Sequence, residues 1–229
     1  MFSLHGYGPS ILEGTVLTLE VSLLSLFVAM LFGIIGALAK LSSSPALSIT
    51  AKVYTTVIRG IPDLVLMLLI FFGGQVFINQ IGPVFGYDEY IDINPFIAGV
   101  STIGFIFGAY MTETFRGAIL AVNRGQLEAG YAYGMTGGQV FRRILLPQMV
   151  RHAIPGFGNN WLVLIKTTAL VSIIGLDDMV RKAAMAAGAT RKPFTFYVVV
   201  AINYLLITTV SIYLLRYLEK RYSVGVRRE

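Results

Sequence analysis

The sequence contains no cysteine among its 229 residues, and charged residues make up only 13% of it. The lack of cysteine excludes both a disulfide framework and thiolate metal sites. No glycine-rich phosphate loop of the Walker type is present, so we do not expect this chain to bind ATP itself. The two histidines, His5 and His152, have no second ligand at metal-binding spacing. The sequence shows no pairing of a nucleophile with a base that would indicate an enzyme.

Hydrophobic residues are abundant, at 55% of the chain, and the mean hydropathy is +0.73. This composition is too apolar for an ordinary soluble domain. The net charge is +6, but the basic residues gather at the ends of apolar segments, which indicates membrane topology rather than nucleic-acid binding. No Lys or Arg precedes the first apolar run, so a cleavable signal peptide is not predicted and the first span should be retained.

Five apolar segments are long enough to cross a bilayer, which takes about 20 residues each. They are residues 11–39, 53–78, 95–120, 153–176 and 194–218. The sequence therefore predicts an all-α integral membrane protein with five transmembrane helices. We expect residues 1–229 to form a single transmembrane domain.

The basic residues also predict an orientation. With the N-terminus outside, 12 of the 18 Lys and Arg residues lie in inner segments and four in outer segments, while Arg59 and Lys166 lie within spans. Because cytoplasmic loops carry the excess of Lys and Arg, this favours an N-out, C-in topology. Residues 123–147 are then cytoplasmic. Residues 177–193 are then outside, where Asp177 is predicted to cap a short helix that ends near Gly188.

Residues 123–147 are the longest polar segment with clear helix signals. Asn123 and Thr136 are suited to cap two successive helices. Each is followed three positions later by a glutamine, Gln126 or Gln139, which is the spacing of a capping box. The segment therefore predicts two short helices.

The ends of these two helices are also predicted. Gly134 suits the left-handed residue that closes the first helix. Pro147 lacks an amide donor and restricts the residue before it, so we expect it to stop the second helix. A tight turn would then join the pair.

Away from the ends of the spans lie five charged residues: Glu20, Arg59, Asp63, Glu113 and Lys166. Charges at such depth cost about 2.5–3.5 kcal/mol each on insertion scales, so they should pair with one another or with a ligand. Between Arg59 and Asp63 the sequence predicts a helix break, and breaks of this kind often mark substrate sites in transporters. Ion pairs of Arg59 with Asp63 and of Glu113 with Lys166 are the structural alternatives, which the sequence leaves open.

The three carboxylates outnumber the two cations in this set, which leaves one spare negative charge. A cationic amino acid carries two positive groups and one negative group. The charge count therefore favours a basic amino acid over an acidic one as the substrate.

The segment from Glu128 to Pro147 resembles the EAA loop of permease subunits of ABC importers. That signature consists of Glu-Ala-Ala, three residues, Gly, nine residues, Ile, one residue and Leu-Pro. The matching positions are Glu128, Ala129, Gly134, Ile144, Leu146 and Pro147. The third position is Gly130 instead of alanine, at a site where either small residue should fit.

Other stretches extend the resemblance to the polar amino-acid class of these permeases. Residues 59–62 and 113–117 look like sequences typical of the class. Residues 63–70 and 221–226 are most similar to permeases for histidine, lysine, arginine and ornithine, or for octopine and nopaline. The resemblance implies a MetI-like permease fold in the bacterial inner membrane and a basic amino acid or opine as the substrate.

The resemblance also implies partners. These are a homologous permease subunit in a hetero- or homodimer, two ATP-binding subunits that carry ATP and magnesium, and a periplasmic substrate-binding protein. No cofactor is expected in this chain. Glu128, Arg142 and Arg143 are the candidates for the surface that docks on an ATP-binding subunit.

Two functions of other classes remain open from the residues alone. A secondary transporter would use the carboxylates within the spans as proton or sodium sites. A structural or assembly subunit would pair all of these charges internally. The two-helix segment argues against both, because neither function needs it.

Overall fold

A computed structural model describes residues 4–222, so residues 223–226 of the predicted C-terminal similarity lie outside the described range. Within that range every regular element is helical. The α-helices are α1 (Gly8–Leu41), α2 (Pro45–Gly60), α3 (Asp63–Ile81), α4 (Pro95–Leu120), α5 (Arg124–Ala132), α6 (Gly137–Val140), α7 (Leu146–Thr167), α8 (Met179–Thr190) and α9 (Pro193–Tyr222). A π-helical turn spans Phe141–Leu145, and 3₁₀ turns span Gly82–Phe85 and Thr168–Ser172.

The predicted helix break lies between α2 and α3. Ile61 is extended, with φ −111° and ψ 139°, because the proline that follows it disfavours the helical conformation. Residues 53–78 are therefore not one continuous span. The apolar stretch long enough to cross a membrane is Asp63–Phe85.

Four helices of the described range are long and apolar enough to span a bilayer: Gly8–Leu41, Asp63–Phe85, Pro95–Leu120 and Pro193–Tyr222. The predicted span at 153–176 falls on α7 and the 3₁₀ turn after it. Asn159, Asn160 and Lys166 make α7 more polar than the other four. The all-α fold is confirmed, while the number of five spans and the orientation stay predictions.

The centre of the bundle is the contact between α1 and α4. The two helices pack closely because each places glycines against the other. A Cβ added to Gly104 would lie 2.5 Å from Val28 Cγ1, and one added to Gly108 would lie 2.5 Å from Phe32 Cβ. Close approach through small residues is typical of membrane helices, which gain van der Waals contact this way.

Helix α8, in the loop between the last two predicted spans, begins and ends later than predicted. Its N-cap is Asp178 rather than Asp177, with Asp178 Oδ1 accepting a hydrogen bond from the Arg181 amide at 3.0 Å. The helix runs to Thr190 and is followed by Arg191 in a left-handed conformation. Its apolar face is buried against α1 and α9, so this helix is packed into the bundle.

Candidate coupling segment and charged residues of the helices

The turn between α5 and α6 is a Schellman motif centred on Gly134. Gly134 has φ +78°, the left-handed conformation that glycine adopts without strain. Its amide donates to Tyr131 O at 2.9 Å, and the Met135 amide donates to Gly130 O at 3.1 Å. This pair of bonds satisfies carbonyls at the end of α5 and fixes the direction of the chain into α6. The predicted role of Gly134 in the turn is confirmed.

The two predicted N-caps are present, but only one of the predicted glutamine contacts is. Asn123 Oδ1 accepts from the Gly125 amide at 2.8 Å. The Thr136 amide donates to Gln139 Oε1 at 2.9 Å, as a capping box requires. Gln126 does not reach back to its cap, because its side-chain oxygen accepts a hydrogen bond from Gln148 Nε2. That bond ties α5 to α7.

The two helices contact each other at Gly130, the position where the EAA signature has alanine. Gly130 is buried, and a Cβ added there would lie 2.7 Å from Ile144 Cδ1 and 3.2 Å from Val140 Cγ2. The Ile144 side chain thus occupies the room that the glycine leaves. Gly130 and Ile144 are complementary in this chain, and an alanine would fit only if Ile144 moved.

Pro147 does not end the second helix, which corrects the sequence prediction. The chain stays helical from Gly137 to Thr167 through the π turn. In that turn the Leu146 amide donates to Phe141 O, five residues back instead of four. A proline inside a regular α-helix clashes with the carbonyl four residues earlier, and a π turn is one of the few local changes that accommodates it.

The exposed surface of residues 123–147 combines charge with large aromatic side chains. Of the residues that match the signature or were proposed for docking, two are half-buried, Ile144 and Leu146. The exposed ones are Glu128, Ala129, Arg142, Arg143 and Pro147. Among the described residues no ion pair involves Glu128 or either arginine. Tyr133 is 88% exposed, and Tyr131 and Phe141 are about half exposed. A surface of this kind is typical of protein–protein interfaces, which are enriched in aromatic residues and arginine.

Glu113 is held by two cations, neither of which is Lys166. One carboxylate oxygen accepts a hydrogen bond from Lys40 of α1, and the other accepts two from Arg116 at 3.0 and 3.1 Å. The Lys40 side chain is only 11% exposed and that of Glu113 21%. The predicted alternative of a Glu113–Lys166 pair is therefore wrong, and Glu113 instead joins α1 to α4.

Arg59 and Asp63 flank the helix break but form no ion pair among the described residues. The Arg59 guanidinium carbon lies 5.5 Å from the centre of the Tyr110 ring, which is within the range of a cation–π interaction. Asp63 is half-buried at the start of α3. The predicted alternative, an ion pair of Arg59 with Asp63 across the helix break, is therefore not found among the described residues.

Glu20 and Lys166 are both exposed, and the part of the chain that the structure describes holds no ion pair with either. Glu20 lines an open groove of about 430 Å³ on α1, together with Glu13, Asp177 and Lys182. Lys166 stands in the last turn of α7. The structure gives no contact that brings these two residues together.

These contacts change the charge count made from the sequence. Lys40 and Arg116 were not in that count, yet both neutralise Glu113. The remaining carboxylates, Glu20 and Asp63, are matched in number by Arg59 and Lys166. The predicted excess of one negative charge is not found, and it no longer argues for a cationic substrate.

Three residues that the sequence did not single out belong to these sites. Lys40 entered the sequence analysis only as one of the 12 basic residues of the predicted inner segments, because 73 positions separate it from Glu113 in the sequence. Tyr110 lies on α4, and no pattern in the sequence around it predicts that its ring contacts Arg59. Gln148 follows Pro147 directly, where the helix was expected to have ended.

The chain matches known proteins along nearly its whole length. Residues 29–224 match the family model described as binding-protein-dependent transport system inner membrane component. The histidine/lysine/arginine/ornithine transport system permease protein HisQ of Salmonella typhimurium is 52% identical over 225 residues, covering 98% of each chain. The octopine transport system permease protein OccQ of Rhizobium radiobacter is 44% identical over 227 residues, covering 99% of this chain and 96% of the relative.

Solved structures match in the same way. A crystal structure of an amino acid ABC transporter with histidines has a chain that is 34% identical, with a TM-score of 0.81, covering 94% of this chain and 95% of the other. The inward-facing MetNI methionine ABC transporter is 18% identical, with a TM-score of 0.66 and coverage of 92% and 96%. At 18% identity, the likeness to the methionine transporter shows a shared fold and nothing more.

Proposed function

Because this chain belongs to the family of binding-protein-dependent transport system inner membrane components, we propose that it imports basic amino acids with energy from separate ATP-binding subunits. The chain is a permease subunit of an ABC amino-acid importer of the inner membrane. We propose histidine, lysine, arginine, ornithine or an opine as its substrate. Support comes from relatives named for these substrates, at 52% and 44% identity over nearly the full length.

The partners follow from the family. We propose that the chain pairs with a homologous permease subunit, and that two ATP-binding subunits carry ATP and magnesium. A periplasmic binding protein would deliver the substrate. With the N-terminus outside, residues 123–147 face the cytoplasm, where the ATP-binding subunits must lie.

The single observation that carries the coupling role is the fixed geometry of the pair α5–α6. The Schellman turn at Gly134 and the contact of Gly130 with Ile144 set the angle between the two helices. Their exposed side presents Glu128, Arg142 and Arg143 among aromatic side chains. We propose that this side docks on an ATP-binding subunit and that the exposed charges fix its register.

Motion of the ATP-binding subunits would then move the permease between its two states. ATP shifts this equilibrium only because the closed ATP-bound dimer has different contacts with the two states. The continuous helix from α6 into α7 gives that motion a path into the membrane.

We propose that four charged side chains meet the substrate: Glu20, Arg59, Asp63 and Lys166. The last three lie on separate helices and form no ion pair among the described residues. Glu113 fits this role less well, because Lys40 and Arg116 occupy its carboxylate.

Reconstitution tests the function directly. The permease pair, the ATP-binding subunits and a binding protein loaded with arginine are placed in liposomes. We expect arginine uptake that requires internal ATP and is not abolished by an uncoupler. Uptake without ATP that collapses with the uncoupler would instead identify a secondary transporter. Arg142→Glu together with Arg143→Glu should reduce ATP-driven uptake, whereas Lys52→Glu, a charge reversal on α2, should not.

A further inference from the structure

A groove between α7 and α9 is not used by the transport function described above. It has a volume of about 240 Å³ and is lined on α7 by Asn159 and Leu162, and on α9 by Ile212, Leu215, Arg216 and Glu219. The two helices approach here because Gly158 has no side chain. A Cβ added to it would lie 3.2 Å from both terminal carbons of Leu215.

The groove changes from apolar to polar along its length. Leu162 and Ile212 line one end, and Arg216 with Glu219 line the other, one and two turns further along α9. Arg216 and Asn159 are exposed, and no hydrogen bond or ion pair engages either side chain within residues 4–222. A groove with an apolar end and free hydrogen-bond donors at the other end matches the polarity of a phospholipid.

The charge at the polar end is positive despite Glu219. Arg216 is followed on α9 by Lys220 and Arg221, both in the last turn of the helix. On α7, Arg151 lies four residues before Pro155, which lines the groove at this end, so it falls on the same helix face. Of these cations only Arg216 lines the groove, and Arg151 lies on the same side of α7 as the lining residues by its spacing, so two arginines accompany the single carboxylate of Glu219 at this end. Basic pockets between transmembrane helices are suited to anionic headgroups.

We propose that this groove binds one anionic phospholipid, with the phosphate at Arg216 and Asn159 and an acyl chain along Leu162 and Ile212. The bound lipid would hold the last turns of α9 against the middle of α7. Glu219 would accept a hydrogen bond from a headgroup hydroxyl, which favours glycerol headgroups such as that of phosphatidylglycerol over choline.

Native mass spectrometry of the delipidated transporter complex tests the proposal. The complex is mixed with phosphatidylglycerol or with phosphatidylcholine of the same acyl chains, and the bound lipid is counted. We expect a preference for phosphatidylglycerol that falls about five-fold in Arg216→Gln, since one basic side chain near the headgroup contributes that much. Lys52→Gln removes the same charge from an exposed position on α2 and should leave the preference unchanged.

Two further measurements separate a lipid from other occupants. The protein has no cysteine, so Ile212→Cys introduces a unique thiol in the groove. Reaction of this thiol with a maleimide, slowed by phosphatidylglycerol but not by inorganic phosphate, supports the proposal. Slowing by inorganic phosphate alone would mean an anion site without a lipid. A cross-link from this thiol to the second permease subunit, or equal binding of both lipids by the unaltered complex, would overturn the proposal.

Discussion

The carboxylate of Glu113 on α4 is hydrogen-bonded to Lys40 in the last turn of α1, so one ion pair joins the two helices that form the centre of the bundle. Both side chains are largely buried. We expect Glu113→Gln to lower the free energy of unfolding by about 1–3 kcal/mol, because it leaves the Lys40 ammonium buried without its charged partner. Thermal unfolding of the purified protein in detergent measures this.

The double variant Lys40→Met with Glu113→Leu should lose less stability than Glu113→Gln alone. Replacing both partners by apolar side chains removes the unpaired buried charge, whereas removing one partner exposes it. Additive losses in the two single variants and the double variant would show that the pair does not contribute as a unit.

Gly134→Val should weaken the association of the permease with its ATP-binding subunits. A β-branched residue at φ +78° is strained, at a cost of roughly 1–2 kcal/mol, and the turn can relieve that strain only by changing the angle between α5 and α6. Co-purification of the ATP-binding subunits and ATP hydrolysis stimulated by the loaded binding protein are the measurements. Gly188→Val makes the same chemical change in α8, outside the coupling segment, where no heavy atom lies within 4 Å of the added Cβ, and should have little effect. Equal effects of both variants would contradict the turn argument.

Gly130→Ala should reduce stimulated ATP hydrolysis modestly, although alanine is the residue of the EAA signature. The added Cβ meets Ile144 Cδ1 at 2.7 Å, so the isoleucine must turn away from the α5–α6 contact. Adding Ile144→Val deletes that carbon and should restore activity toward the original level. Failure of the second substitution to restore activity would mean that the loss arises elsewhere than at this contact.

Asp178, the N-cap of α8, should make stability depend on pH. Burial raises the pKa of this carboxyl from 3.8 to about 6, against the lowering effect of the Arg181 and Val180 amides. Its Oδ2 is buried with no hydrogen-bond partner among the described residues. Because the folded protein holds this proton more tightly than the unfolded chain, the contribution of Asp178 to stability is fully present below pH 3.8 and is lost as the pH rises to about 6.

Asp178→Asn keeps an oxygen that accepts from the Arg181 amide and removes the charge. We expect this variant to be more stable than the unaltered protein at pH 7, by roughly 2–3 kcal/mol at most for a shift of this size. Its unfolding midpoint should vary less between about pH 4 and pH 6.5, the range set by the two pKa values of this carboxyl. A variant with an unaltered pH profile would show that another group titrates in this range.

Features fixed by local sequence could be predicted, whereas those fixed by distant contacts could not. Asn123, Thr136 and Gly134 act through amides within a few residues of themselves, and all three take their predicted places. The break at Pro62 follows equally from local sterics. The partner of Glu113 depends instead on how α1 packs on α4, since Lys40 and Lys166 are equally plausible partners in a linear sequence.

Pro147 shows a different reason for a wrong prediction. A proline usually ends a helix, but the cost of continuing depends on whether the preceding turn can widen. Here Phe141–Leu145 adopts the wider turn, and the helix continues into the bundle. The sequence alone does not reveal that packing on both sides of the proline outweighs the lost hydrogen bond.

The uninterrupted helix from Gly137 to Thr167 is about 45 Å long at 1.5 Å per residue. One end carries Arg142 and Arg143, and the other carries Lys166. A tilt of this rod by a few degrees displaces its far end by several ångströms without any change in the conformation of the chain between. This continuous helix can therefore carry a movement of its cytoplasm-predicted end to the end that bears Lys166, as a lever does.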